Sequence, residues 1–186
     1  MDERLKENEE GLREMQDNMK WSNILTIGIP DGEEEEQRIE NLFEKVMMKN
    51  LPNLMREETT QVQETERIPK KMKPKATTVR NVIIKMAKFQ DKERILKEAR
   101  EEQTITYKGA PIRLAADFST ETLQARKEWQ ETFQVMKNNG LKLRLLYPVR
   151  LSNKMKGQIR GFPNKRRLKE YTSTKSALQD MLKELL

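Results

Sequence analysis

The chain has 186 residues, 36% charged and 35% hydrophobic, with no Cys and no His. That composition excludes disulfides, thiolate nucleophiles, imidazole bases and the usual zinc ligand sets, and no apolar run approaches the roughly 20 residues that a bilayer span needs. The net charge of +7 hides a split: residues 1–66 carry 8 Lys+Arg against 18 Asp+Glu, whereas residues 67–186 carry 29 against 12, so an anionic partner is expected to meet the later part.

Residues 1–20 are charged and free of Pro, with Leu5, Leu12, Met15 and Met19 at the spacing of a coiled-coil seam. Under three heptads long, this helix is either the stub of a longer coil or an amphipathic helix packed on the domain. Asn23 to Ile29 reads as a buried strand stopped by Pro30-Asp31-Gly32. Asp31 with Glu34 resembles a capping box, and Ile39, Leu42, Phe43, Val46 and Met47 then recur at helical spacing until Leu51-Pro52-Asn53. The acidic run Glu33 to Glu36 is read as a solvated helix face, because consecutive carboxylates point in different directions and negative charge suits a helix N-terminus.

Gln61 to Ile68 predicts a second strand, Pro69 to Arg80 a basic, Pro-punctuated loop, and Asn81 to Lys88 a third strand with Val82, Ile84 and Met86 on one face and Ile83, Lys85 and Ala87 on the other. Gln90 to Gln103 predicts a helix with Ile95, Leu96 and Ala99 inward and Lys92, Arg94, Lys97 and Arg100 in solvent. Ile105 to Tyr107 and Ile112 to Ala115 flank a turn at Lys108 to Pro111 and close the unit as a hairpin-like fourth strand. The order over 23–116 is βαββαβ, the ferredoxin-like arrangement. From Ser119 a helix carrying Leu123, Ala125, Trp129, Phe133 and Met136 runs to Asn138-Asn139-Gly140. Strands at Lys142 to Tyr147 and Gln158 to Phe162 follow, then a last helix with Leu178, Met181, Leu182 and Leu185 inward. The fold class is therefore α+β, divided as a coiled-coil segment 1–20, an RNA-recognition-type domain 21–117 and a small α+β domain 118–186.

A βαββαβ sheet can hold RNA on its open face by stacking bases on aromatic rings. Here Thr26 and Lys85 stand where rings would serve, so phosphate contacts are expected to dominate, with weak sequence preference and strong salt dependence. The segments NILTIGIP, LFEKVMMKNLPNL, KATTVRNVIIKMAK, KEAREEQTITYKGAPIRLAADFSTETLQARKEW and LLYPVRLS resemble the first open-reading-frame protein of LINE-type retrotransposons. The resemblance implies a coiled-coil homotrimer stem, an atypical RNA-recognition motif and a C-terminal domain. Together these would act without catalysis as a nucleic-acid chaperone that packages the element's RNA. It also implies RNA and single-stranded DNA as partners, no cofactor, no metal and no membrane, and residence in cytoplasmic ribonucleoprotein granules with the nucleus as a second compartment.

Residue by residue, the resemblance points to nucleic-acid contacts at Lys71 and Lys75, with Lys70, Lys73 and Arg80 in the same basic loop. It points also to Lys85 on the third strand, Arg100 after the second helix, Arg126 and Lys127 in QARKEW, and Tyr147 in YPVRL, where Arg150 is a further candidate. Lys85 and Lys127 stand where the family often has Arg, which keeps the charge and loses the planar fork. These side chains are expected to converge into one trough. The alternative reading is a protein-assembly module acting through the first 20 residues and the acidic region. A nuclease or transposase would need a carboxylate cluster that the sequence does not offer.

Overall fold

The computed structural model describes residues 2–57, 60–69, 80–155 and 157–185. It divides into two compact units, 1–118 and 119–186, and its class is α+β, an antiparallel sheet with helices in each unit. The basic-loop residues Lys70, Lys71, Lys73 and Lys75 lie outside the described residues.

The first unit runs α1 (Glu3–Met19), β1 (Asn23–Ile27), α2 (Glu33–Glu36), α3 (Ile39–Asn50), α4 (Pro52–Glu57), β2 (Val62–Ile68), β3 (Asn81–Met86), α5 (Phe89–Glu101), β4 (Ile105–Tyr107) and β5 (Ala110–Ala116). The sheet order is β2-β3-β1-β5-β4, antiparallel throughout. This is the expected βαββαβ arrangement, with the short β4 added as the outer arm of a hairpin. The hairpin closes on Lys108 and Gly109, both at positive φ (48° and 80°), the geometry whose twist suits two-residue connections. Alternation sends Ile24 and Thr26, Val82, Ile84 and Met86, and Ile112 to the face covered by α3 and α5, where Leu42, Phe43, Val46, Met47, Ile95 and Leu96 complete the core. The edge strand β4 is finished by a side chain: Asn50 donates to the Thr106 carbonyl at 2.8 Å and accepts from the Thr106 N–H at 3.0 Å, so one residue of that edge is paired as if by another strand.

Three expectations need correction here. Asp31 does not cap a helix with Glu34; the residue before α2 is Gly32, in the left-handed region with no side-chain cap, and the Asp31 carboxylate goes to two arginines instead. Glu33 is not part of a solvated face, since its carboxylate accepts from the Tyr107 hydroxyl at 2.6 Å and from Lys108 Nζ at 2.8 Å. The Lys108 and Tyr107 hydrogen bonds hold the Glu33 carboxyl below its ordinary range. Lys92 is not in solvent but 4% exposed. Its ammonium donates to the Trp21 carbonyl at 2.7 Å and lies over the Trp21 and Phe89 rings, which stack on each other with centroids 4.7 Å apart. Burial pushes its pKa down, with Glu93 and Asp117 opposing. Ile83, placed opposite the core by alternation, is nevertheless only 3% exposed, for a reason that concerns the open face.

The apolar seam of α1 is not packed on the domain. Leu5, Leu12, Met15 and Met19 are 50%, 59%, 65% and 76% exposed.

The second unit runs α6 (Thr120–Glu128), α7 (Gln130–Asn138), β6 (Lys142–Leu146), β7 (Arg150–Met155), β8 (Gln158–Phe162), α8 (Lys165–Thr172) and α9 (Ser176–Leu182). The expected single helix from Ser119 is interrupted at Trp129, which is 4% exposed, and Leu123 faces solvent rather than the core. Ser119 does cap it, accepting from the Thr122 N–H at 3.2 Å. Strands β6, β7 and β8 form an antiparallel sheet in that order; β7 and α8 were not anticipated. Leu143, Leu145, Leu151 and Phe162 point to one face and pack with Trp129, Met136, Leu168 and Leu182.

Candidate nucleic-acid interface

In the first unit the open face of the sheet is built from Glu64, Glu66 and Ile68 of β2, Asn81, Ile83 and Lys85 of β3, Asn23, Leu25 and Ile27 of β1, and Arg113 and Ala115 of β5. It carries no aromatic ring, and its two cations are matched by two carboxylates, with Glu64 directly across from Lys85. The end of α1 lies beside it: Gln16, Met19 and Lys20 line a cleft of about 310 Å³ with Ile68, Ile83 and Lys85. That shelter is why Ile83 is buried. Lys20 and Asn23 fix the approach by meeting Asp117 at 3.6 and 3.1 Å. Among the described residues this face thus offers a strand neither stacking rings nor net positive charge.

At the far end of β3 the expected contact Arg80 is engaged by the protein. Its Nε donates to Asp31 Oδ1 at 2.8 Å and its backbone N–H to Asp31 Oδ2 at 3.3 Å. A second guanidinium, that of Arg67 on β2, donates to the carbonyls of Ile29 at 2.8 Å, Pro30 at 2.6 Å and Arg80 at 3.0 Å, with its Nε 3.9 Å from Asp31. Burial alone would raise the Asp31 carboxyl, but the hydrogen bonds from Arg80 and the charges of Arg80 and Arg67 outweigh it and hold the group below its ordinary range. One carboxylate therefore ties the residue before β3 to the end of β2. Arg67 was not singled out from the sequence, where it sits in a polar strand, QETERI, that reads as surface.

Arg100 is exposed in the last turn of α5, where a cation also suits the helix dipole. Since α5 covers the core side of the sheet while Lys85 stands on the open side, these two expected contacts do not share a surface.

In the second unit the four expected residues divide. The Arg126 guanidinium donates to the carbonyls of Leu145 at 3.1 Å, Pro148 at 3.1 Å and Leu146 at 3.5 Å, clamping the turn between β6 and β7. Tyr147, in that turn, is half-buried and is not among the residues packed in the core. Lys127 and Arg150 are exposed. From Thr132 to Lys169 the chain holds eleven Lys or Arg and not one Asp or Glu, a signal present in the sequence of which only Arg150 was singled out. Among the described residues no group of three acidic side chains is placed to hold a metal ion, and no helix is long and apolar enough to cross a membrane.

Residues 21–117 match the family described as the L1 transposable element RBD-like domain, and residues 120–184 match the L1 transposable element dsRBD-like domain. The LINE-1 retrotransposable element ORF1 protein of Mus musculus is 36% identical over 176 residues, taking in 94% of this chain and 49% of that protein. The LINE-1 type transposase domain-containing protein 1 of Homo sapiens is 32% identical over 160 residues, 86% of this chain and 18% of that protein. The chain thus spans about half or less of the length of these relatives. A solved C-terminal domain of ORF1p from mouse LINE-1 is 38% identical, covering 34% of this chain and 98% of its own, with a TM-score of 0.30. The chain belongs to the L1 transposable element RBD-like family.

Proposed function

We propose that this member of a retrotransposon protein family binds RNA and single-stranded DNA through phosphate contacts, without catalysis. It would serve as a nucleic-acid chaperone that packages the element's RNA into a ribonucleoprotein particle. The observation that carries the reading is the stretch Thr132 to Lys169, eleven cations with no carboxylate. A solvated protein surface ordinarily mixes both signs, because a single-sign field repels itself; concentrating one sign is the footprint of a polyanion partner. Contacts to phosphate carry no sequence information, and many individually weak ones let strands be neutralised, brought together and released. The missing rings and balanced charge of the open sheet face support the same conclusion, since base readout there has little to work with.

The test is competition between unrelated RNA strands of equal length for a labelled strand, run beside an annealing assay with complementary strands. Affinities within about tenfold of one another, together with faster annealing, are expected for phosphate-dominated binding. A preference of about a thousandfold for one sequence, or annealing no faster than without protein, would count against it.

A further inference from the structure

The register of β6, β7 and β8 sorts the second unit's charges by face. On the side away from the core stand Lys142 and Arg144 of β6, Arg150, Ser152 and Lys154 of β7, and Ile159 and Gly161 of β8. The four cations are exposed and no carboxylate shares the face. Lys142 is paired directly across from Lys154, an arrangement that costs stability in a sheet and has no opposing charge here to relieve it. Lysines on edge strands are a common guard against unwanted pairing, but Arg150 and Lys154 belong to the central strand, which has no free edge to guard.

The next row across the sheet is Arg144, Ser152, Gly161. Arg150, though exposed, leans out of its own row. Its arm lies over Gly161, where an added β-carbon would meet its Nε at 3.1 Å, Cδ at 3.3 Å and Cζ at 3.4 Å. The missing side chain at Gly161 leaves room for that arm over β8, so Ser152, 7% exposed, sits in the row between the Arg144 position and the Arg150 arm. Along a strand, residues two apart are separated by roughly 6.7 Å, a step comparable with that between successive phosphates of an extended polynucleotide.

Resting on the nucleic-acid reading above, we propose that the outer face of β6-β7-β8 is a phosphate-binding track for a single nucleic-acid strand, formed by Lys142, Arg144, Arg150 and Lys154 and shaped by Gly161. A guanidinium whose arm rests on the sheet meets a phosphate with less further ordering than a free one, while the lysines act as point charges beside it. None of Lys142, Arg144, Lys154 or Gly161 was reached from the sequence.

Two variants of the full chain test this by RNA binding and thermal melting. The first is Lys142→Gln with Arg144→Gln and Lys154→Gln. It should weaken binding by about tenfold or more and flatten the salt slope by about 2, at 0.7 per phosphate contact. Its melting temperature should hold or rise, since the repelling pair is gone. The second, Gly161→Val, changes no charge and places a strand-favouring residue at a site without positive φ; lifting the Arg150 arm should weaken binding as much as Arg150→Gln does. An equal-charge control, Lys97→Gln with Lys175→Gln and Lys183→Gln, should lose clearly less. If the control loses as much as the triple variant, or both variants bind as the unaltered chain does, the track is refuted while RNA binding stands. If the unaltered chain binds no RNA, the broader reading fails with it.

Discussion

Arg67→Met is expected to lower the unfolding free energy of the first unit by about 3–5 kcal/mol, the range seen when one member of a buried charged cluster is removed. The Arg67 side chain is 5% exposed and its donors reach three backbone carbonyls, of Ile29, Pro30 and Arg80, which belong to two separate stretches of chain. Met fills the volume but supplies no donor, so those carbonyls lose partners that water cannot easily replace, and Asp31 keeps only Arg80 nearby. Arg67→Lys should recover only part of the loss, since a single ammonium cannot span carbonyls that a planar fork reaches together. The measurement is urea unfolding followed by fluorescence in a Trp129→Phe background, where Trp21 is the remaining tryptophan and reports the first unit. A loss below about 1 kcal/mol, the ordinary worth of one hydrogen bond, would show that Arg67 is a bystander.

The second large effect separates two neighbours that the sequence presents as a pair. Arg126→Ala is expected to destabilise the second unit by about 1–3 kcal/mol, because the carbonyls of Leu145, Leu146 and Pro148 lose their common donor and the turn carrying Tyr147 loosens. Lys127→Ala should change stability by no more than about 0.5 kcal/mol, as is usual for an exposed site without a special contact, yet weaken RNA binding across unrelated sequences. A binding defect in Arg126→Ala would then reflect a displaced turn as much as a missing charge. Equal stability losses in the two variants, read by unfolding of each singly altered chain, would contradict this division.

The parts of the fold legible in the sequence are those where one face is apolar and the other polar over several turns or strand residues. Strand β1 and helices α3 and α5 announce themselves through Ile24, through Leu42 to Met47, and through Ile95 and Leu96. Strand β7 did not, because Ser152 and Asn153 lie in its middle and are buried, at 7% and 2% exposed, which breaks the alternation that marks a strand. Helix α8, KRRLKEYT, hides for the opposite reason: it turns chiefly Leu168 and Thr172 inward, too few for a periodic signal. The buried cations Lys92 and Arg67 were illegible because their partners are backbone carbonyls brought from 13 to 71 positions away, which no local pattern encodes. The outer face of β6-β7-β8 depended on placing β7, for only its register puts Lys154 against Lys142. The sequence-level hint was available nonetheless, in the carboxylate-free run that begins at Thr132.

Whether cations of this chain neutralise phosphates is read most directly from RNA affinity measured at rising salt. With about six phosphates engaged on a single strand, log K should fall linearly against log salt with a slope of about −4, so that moving from about 50 to about 200 mM costs between two and three orders of magnitude in affinity. An affinity that stays level across that range would mean that contacts other than charge hold the strand, and would remove the basis of the functional reading.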